Sequence, residues 1–112
     1  MNFDRLNQYR IMWVIVYFDL PTETKKDKRA YQDFRKGLQK DGFRMMQYSV
    51  YFRHCNSREN AEVHKQRVKN LMPQKGNIIV FEITDAQFGR MEFYQGYTRM
   101  REQYVPEQLE LF

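Results

Sequence analysis

One acidic side chain stands where it could do chemistry. Asp19 lies near the end of the segment MWVIVYFDLP (residues 12–21), after seven consecutive apolar residues. A continuous run of β-branched and aromatic residues is typical of a strand buried on both faces, and Pro21 cannot extend the hydrogen-bond ladder. Asp19 is therefore the first residue of this segment to meet water, and we expect it either to act in a site or to cap the following turn.

The other residues that could bind a metal or act as a base are few. His54 and Cys55 are neighbours in a predicted strand, so their side chains point to opposite faces. A single cysteine provides neither an intramolecular disulfide nor a zinc-binding thiolate cluster. His64 lies on the apolar side of a predicted helix. We expect all three residues to have structural roles.

The positive charge of the chain is concentrated in one segment. The net charge is +5, and residues 25–44 alone carry eight Lys or Arg against three Asp, so the remainder is neutral on balance. On a helix, four of these cations fall within an arc of about 60°. We define the basic surface as Lys25, Lys26, Lys28, Arg29, Lys36 and Lys40. It suits the binding of nucleic-acid phosphates, although a merely solvated helix face is often rich in Lys as well.

Periodicity and turn signals predict the elements that position these residues. Helix 24–40 begins at Thr24 with Asp27, and the doubled Met45–Met46 indicates a bulge in the next strand. Asn56 with Glu59 indicates the start of the second helix. The predicted strands are 12–19, 43–53, 77–83 and 91–94, and the predicted helices are 24–40 and 57–72. We interpret these elements as an α+β, ferredoxin-like split βαβ sandwich (βαββαβ), an antiparallel sheet with two helices on one face.

Length and composition limit the class of protein. The 112 residues suit one domain, which we place at 1–96 with a C-terminal tail at 97–112 that docks in a dimer or onto a partner. A hydrophobic content of 42% excludes a disordered chain. No apolar run is long enough to cross a bilayer and no cleavable signal is visible, so we expect a cytoplasmic protein with no membrane partner.

Four motifs together resemble one known family. They are YFDLP at 17–21, TETKKDKR at 22–29, Asp41-Gly42-Phe43, and QYSVY at 47–51. The chain is similar to the small CRISPR-associated endoribonucleases of spacer acquisition, which supply the adaptation subunit that partners the CRISPR integrase. The resemblance spans nearly the whole predicted domain.

This resemblance implies a ferredoxin-like homodimer in which the two copies of Asp19 meet at the two-fold axis around a divalent cation, usually Mg²⁺. Asp19 would then be both a metal ligand and the catalytic residue of metal-dependent phosphodiester hydrolysis. Tyr17, Ser49 and Tyr51 flank it in the matched motifs and would support the site. Ser49 would hydrogen-bond near Asp19 or merely fill a strand position.

The resemblance also implies an architectural role. The dimer would bridge integrase dimers, with duplex DNA, or RNA, lying along the basic surface. Whether the chain is itself an enzyme stays open at this point. One alternative is a stand-alone, toxin-like, metal-dependent endoribonuclease, and another is a protein-interaction dimer that binds no nucleic acid.

Overall fold

The fold is built around one antiparallel sheet. The computed structural model describes residues 10–96 and the backbone of residues 98 and 99. The strands are β1 (Met12–Asp19), β2 (Arg44–Gln47), β3 (Val50–Cys55), β4 (Asn77–Thr84), β5 (Tyr94–Gln95) and β6 (Thr98–Arg99). The helices are α1 (Lys25–Lys40), α2 (Arg58–Leu71) and α3 (Asp85–Gly89).

The apolar strand β1 lies in the interior of the sheet, as its sequence predicts. The strand order is β2-β3-β1-β4, and every neighbouring pair is antiparallel. Together with α1 and α2, this order forms the predicted ferredoxin-like α+β fold. Because β1 pairs with β3 on one side and β4 on the other, its end at Asp19 is held by the rest of the sheet.

Two apolar cores lie on opposite faces of the sheet. The larger core joins alternate β1 residues, such as Val14 and Phe18, to Phe34 of α1 and Val68 of α2. The smaller core is formed by Trp13, Ile15, Phe52 and Phe88. We call the face with the smaller core the open face, because only the short helix α3 covers it among the described residues.

The prediction of one long strand at 43–53 is wrong. A turn at Tyr48–Ser49 divides this segment into β2 and β3, which form a hairpin. Ser49 has a φ of +66°, a left-handed conformation that a turn usually assigns to Gly or Asn. The expected irregularity at Met45–Met46 is confirmed, because the register between β2 and β3 shifts between Met45 and Gln47.

The prediction of a fourth sheet strand at 91–94 is also wrong. Residues 91–93 are not in a strand, and β5 pairs with β6 in a separate two-stranded hairpin. The short helix α3 precedes it and was not predicted. Its Phe88 stacks on Trp13 with 3.8 Å between ring centroids, so α3 closes one end of the open face. Beyond β6, the predicted tail lies outside the described residues.

The helix ends agree with the predicted caps in one case only. In α1, the Thr24 hydroxyl accepts from Asp27 N at 3.0 Å and Asp27 Oδ2 accepts from Thr24 N at 3.3 Å, which is the predicted capping box. In α2 the cap is Ser57, which accepts from Asn60 N, and not Asn56. Within residues 10–96 and 98–99, the helices lack the length and apolar character needed to span a membrane.

Candidate metal and nucleic-acid site

Asp19 occupies the exposed end of the central strand. It lies opposite Asn77 of β4, and alternation along β1 places it on the open face with Tyr17. Its carboxylate makes no hydrogen bond or ion pair with the described part of the chain. It therefore does not cap the following turn, and its oxygens are available to a ligand from solvent.

Gly76 packs against the backbone at Asp19, a contact that the sequence did not reveal. Its φ is +102°, and a Cβ placed there would lie 2.9 Å from Asp19 O and 2.5 Å from Leu20 Cδ2. Only glycine combines this conformation with this approach. The loop before β4 thus holds the end of β1 in place, and a glycine directly before a predicted strand is the one signal that could have indicated it.

The part of the open face near Asp19 is apolar and exposed. Tyr17 is 48% exposed, Ile79 56% and Phe81 43%. Ile79 lies opposite Tyr17 and Phe81 opposite Ile15 in the β1–β4 register, so these side chains share one face. Water contact with large neighbouring apolar side chains is unfavourable, and such a patch is typical of an interaction surface.

The β2–β3 hairpin tip lies beside the last residues of β1. Phe18 N donates to Ser49 O at 3.0 Å. Ser49 therefore supports the end of β1 through its backbone. Tyr48 is 74% exposed and its ring stacks on Tyr31 of α1, with 6.5 Å between centroids. Burial and the Tyr48 hydroxyl raise the pKa of Tyr31 to about 12, so Tyr31 is a neutral phenol at physiological pH.

Tyr51 is placed away from Asp19. It is buried in the larger core, on the opposite face from Asp19. Its hydroxyl accepts a hydrogen bond from Arg35 Nε at 2.9 Å, and this bond raises the pKa of Arg35. Of the three supporting residues expected from the sequence, Tyr17 shares the face of Asp19, Ser49 binds its neighbour, and Tyr51 links β3 to α1.

The basic surface lies on the solvent side of α1. All six of its residues are exposed and form no ion pair with the described residues: Lys25, Lys26, Lys28, Arg29, Lys36 and Lys40. Three of the lysines stand in the first turns of α1, where the positive end of the helix dipole disfavours cations. Their position therefore costs stability and strengthens the attraction of this helix end for anions.

The remaining candidates have structural contacts. His64 is buried and its Nδ1 lies 2.8 Å from Asp41 Oδ2, while Arg67 donates to Asp41 Oδ1 at 2.8 Å. Burial raises the pKa of Asp41, but the hydrogen bonds from His64 and Arg67 outweigh it and hold this pKa below its usual value. His54 meets the edge of Trp13, and Cys55 is buried.

A single chain supplies one carboxylate to a cation at Asp19. Within the described ranges, no three His, Cys, Asp or Glu side chains lie together in a way that could hold a metal ion. Mg²⁺ takes oxygen ligands and commonly keeps several waters, so an exposed carboxylate fits as one of its ligands. A second copy of the chain would double that donor set.

One known protein family matches most of the chain. The sequence pattern of the family described as CRISPR associated protein Cas2 matches residues 12–91, from the start of β1 to just beyond α3. The chain belongs to this family. The matched Cas2 segment contains Asp19, Gly76, the hairpin tip and the whole basic surface.

Individual Cas2 relatives match the chain over nearly its full length. A protein of Flavobacterium psychrophilum is 51% identical over 111 residues, which are 99% of this chain and 96% of the relative. One of Parvibaculum lavamentivorans is 54% identical over 101 residues, 90% of this chain and 100% of the relative. One of Paracidovorax avenae is 38% identical over 107 residues, 96% and 99% of the two chains. All three carry the name CRISPR-associated endoribonuclease Cas2.

Proposed function

We propose that this Cas2 protein acts in CRISPR adaptation as a homodimer that binds duplex DNA and bridges dimers of the CRISPR integrase. The observation that carries the proposal is the position of Asp19 at the end of an exposed apolar face, with the basic surface on the other side of the sheet. The family membership supports the CRISPR context.

The open face supports the homodimer. Tyr17, Ile79 and Phe81 are each more than two-fifths exposed, and a second copy would bury them against the same patch. A two-fold interface uses the same residues from both chains, so a contact at this patch brings the two Asp19 residues toward one axis. The fitness of Asp19 as a metal ligand then becomes a property of the dimer.

The basic surface supports binding to the nucleic-acid backbone. Because α1 packs on the face of the sheet opposite the open face, a dimer formed through the open faces leaves both basic surfaces in solvent. Lysine side chains neutralise phosphates without reading bases, which suits the capture of DNA of arbitrary sequence. Two outward basic surfaces also suit a subunit that spans a duplex between partners.

Metal-dependent nuclease activity is a second candidate function, favoured by the free carboxylate of Asp19 and by the endoribonuclease name of the relatives. The two copies of Asp19 would hold Mg²⁺ at the dimer axis, and the bound cation would supply charge stabilisation of the phosphate and a more acidic water. The residues of the chain would position the strand: the lysines of α1 would hold flanking phosphates. RNA is the substrate that this second function predicts.

The first test measures assembly and duplex binding. We expect light scattering to give the mass of a dimer, and duplex affinity to fall steeply with salt, by about 0.9 of a logarithmic unit per contacted phosphate for each tenfold increase. Replacing Lys36 and Lys40 by Gln should lower the affinity and flatten the salt dependence. Lys69→Gln, an exposed lysine of α2, is the matched control and should change neither.

The second test separates scaffold from nuclease. The assay measures how much of a short duplex the cognate integrase inserts into a CRISPR repeat. Three reactions are compared: one without this protein, one with the parent, and one with an Asp19→Asn variant that has been verified as a dimer. If the variant supports insertion as well as the parent, the chain acts as a scaffold. If the variant loses RNA cleavage that needs no integrase, the endoribonuclease function is favoured. A monomer without salt-dependent duplex affinity refutes the proposal as a whole.

A further inference from the structure

We propose that a groove next to the end of β1 binds one unpaired nucleotide of a nucleic-acid strand or end. This inference rests on the nucleic-acid binding proposed above and names the form of substrate that one part of the surface accepts. The groove has a volume of about 280 Å³ and lies between the start of α1 and the loop that joins α2 to β4. None of the sequence motifs indicates it.

The walls of the groove suit a planar aromatic ring. Leu20 and Pro21 line it from the end of β1, Ala30 and Tyr31 from α1, and Pro73 from the loop. The Tyr31 ring is held in place by Phe18, with 5.8 Å between centroids, and by Tyr48. The two faces of a base ring make no hydrogen bonds, so an apolar site can cover them at little cost. Every base has such a face, so stacking on an aromatic side chain does not depend on the sequence.

The rim of the groove suits the phosphates of the same nucleotide. Lys26 from α1 and Lys75 from the loop both line it, and both are exposed. Asp27 also lines the groove, but its carboxylate accepts a hydrogen bond from the backbone of Thr24. The positive end of the α1 dipole lies at the same place. An apolar floor with two cations above it matches an aromatic base that carries an anionic backbone.

The size of the groove selects an unpaired base. Pockets for small ligands typically measure roughly 300–1,000 Å³, so this groove lies just below that range and suits a ligand no larger than one nucleotide. A base inside a duplex presents only its edge, and its ring faces are covered by its neighbours. The groove therefore requires a single strand, a frayed end or an overhang, whereas the phosphates of an intact duplex reach only the basic surface.

The backbone connects the groove to Asp19. Leu20 and Pro21 follow Asp19 directly, and Gly76 fixes the loop carrying Lys75 against Asp19 O and Leu20. A nucleotide in the groove would thus hold the adjoining backbone close to the end of β1. The groove acts in positioning, and we assign it no bond-making or bond-breaking step.

The test fills the groove without changing its charge. Ala30→Leu adds an apolar side chain on a helix, where leucine is well tolerated, and thermal unfolding verifies that the variant folds. The probes are a single-stranded oligonucleotide containing 2-aminopurine and a blunt-ended duplex that is cross-linked at both ends and has no unpaired nucleotides. We expect Ala30→Leu to weaken single-strand binding about tenfold, in line with the loss of one stacked base, and to leave duplex binding unchanged. The parent should quench 2-aminopurine fluorescence, and the variant should not.

A second pair of variants tests the rim. Lys75→Gln should weaken single-strand binding several-fold with little effect on the duplex, whereas Lys69→Gln should affect neither. If Ala30→Leu and Lys75→Gln both bind the single strand with the parent's affinity and both still quench 2-aminopurine, the groove does not bind a nucleotide and the proposal is refuted. If the parent protein does not bind the duplex at all, the proposed function is refuted instead. The two failures are therefore distinguishable.

Discussion

Replacing Gly76 by Ala should destabilise the protein and disturb the backbone at Asp19. The left-handed conformation of Gly76, with a φ of +102°, costs about 1–2 kcal/mol for a residue with a side chain. The new Cβ would also lie 2.9 Å from Asp19 O and 3.1 Å from Leu20 Cα, which are backbone atoms that cannot rotate away. Overpacking of this kind adds about 1–3 kcal/mol. The expected loss is therefore roughly 2–5 kcal/mol.

Denaturant unfolding measures this loss, and Gly96→Ala is the matched control. Gly96 also has a positive φ, of +61°, but a Cβ there meets nothing within 4 Å in the described structure, so the control isolates the backbone term. We expect Gly76→Ala to lower the free energy of unfolding by at least about 1 kcal/mol more than Gly96→Ala does. Such a difference is measurable against the roughly 5–15 kcal/mol that is typical of a domain. Equal losses in the two variants would show that Gly76 does not press on the end of β1.

Three further predictions concern the polar contacts of the helices. The pKa of Asp41 is lowered in the folded state, so the stability that Asp41 contributes is present above its unfolded pKa and is lost as pH falls through its folded pKa. Urea unfolding should therefore show a loss of stability below about pH 4, and Asp41→Asn should reduce that loss. Arg35→Ala should destabilise the protein because it removes the hydrogen-bond donor of the buried Tyr51 hydroxyl. In a double-mutant cycle, that cost should shrink in a Tyr51→Phe background, and additive losses would contradict the hydrogen bond. Alkaline titration of tyrosinate absorbance should show one group with a pKa of about 12 that Tyr31→Phe removes.

The elements with strong local signals could be predicted from the sequence. β1 has the predicted bounds 12–19, and α1 begins after the Thr24 cap that its capping box predicts. The hairpin could not be predicted, because its turn places Ser49 in a left-handed conformation without Gly or Asn to mark it. The helix α3 has five residues, which are too few to repeat the apolar spacing that identifies a helix in a sequence.

Part of the candidate site could likewise be predicted from the sequence, and part could not. Asp19 could be found because the end of a buried strand and a proline are both readable from the chain. The contact of Gly76 with Asp19 joins residues far apart in sequence, and the groove joins the start of α1 to a loop beyond α2. Both depend on how the elements pack. Tyr51 alternates with the residues of the open face, but only the registered sheet shows that it points away from Asp19.

The arrangement of β4 also has a consequence for the protein in isolation. β4 is an edge strand of eight residues, and no described strand pairs with its outer side. It has no proline, and its one charged residue, Glu82, is engaged by Lys65 of α2. An edge without such protective features is a template for aggregation. A partner that covers both this edge and the apolar face beside it would therefore keep the protein in solution as well as complete its site, and excess unassembled chain should be the first material to precipitate.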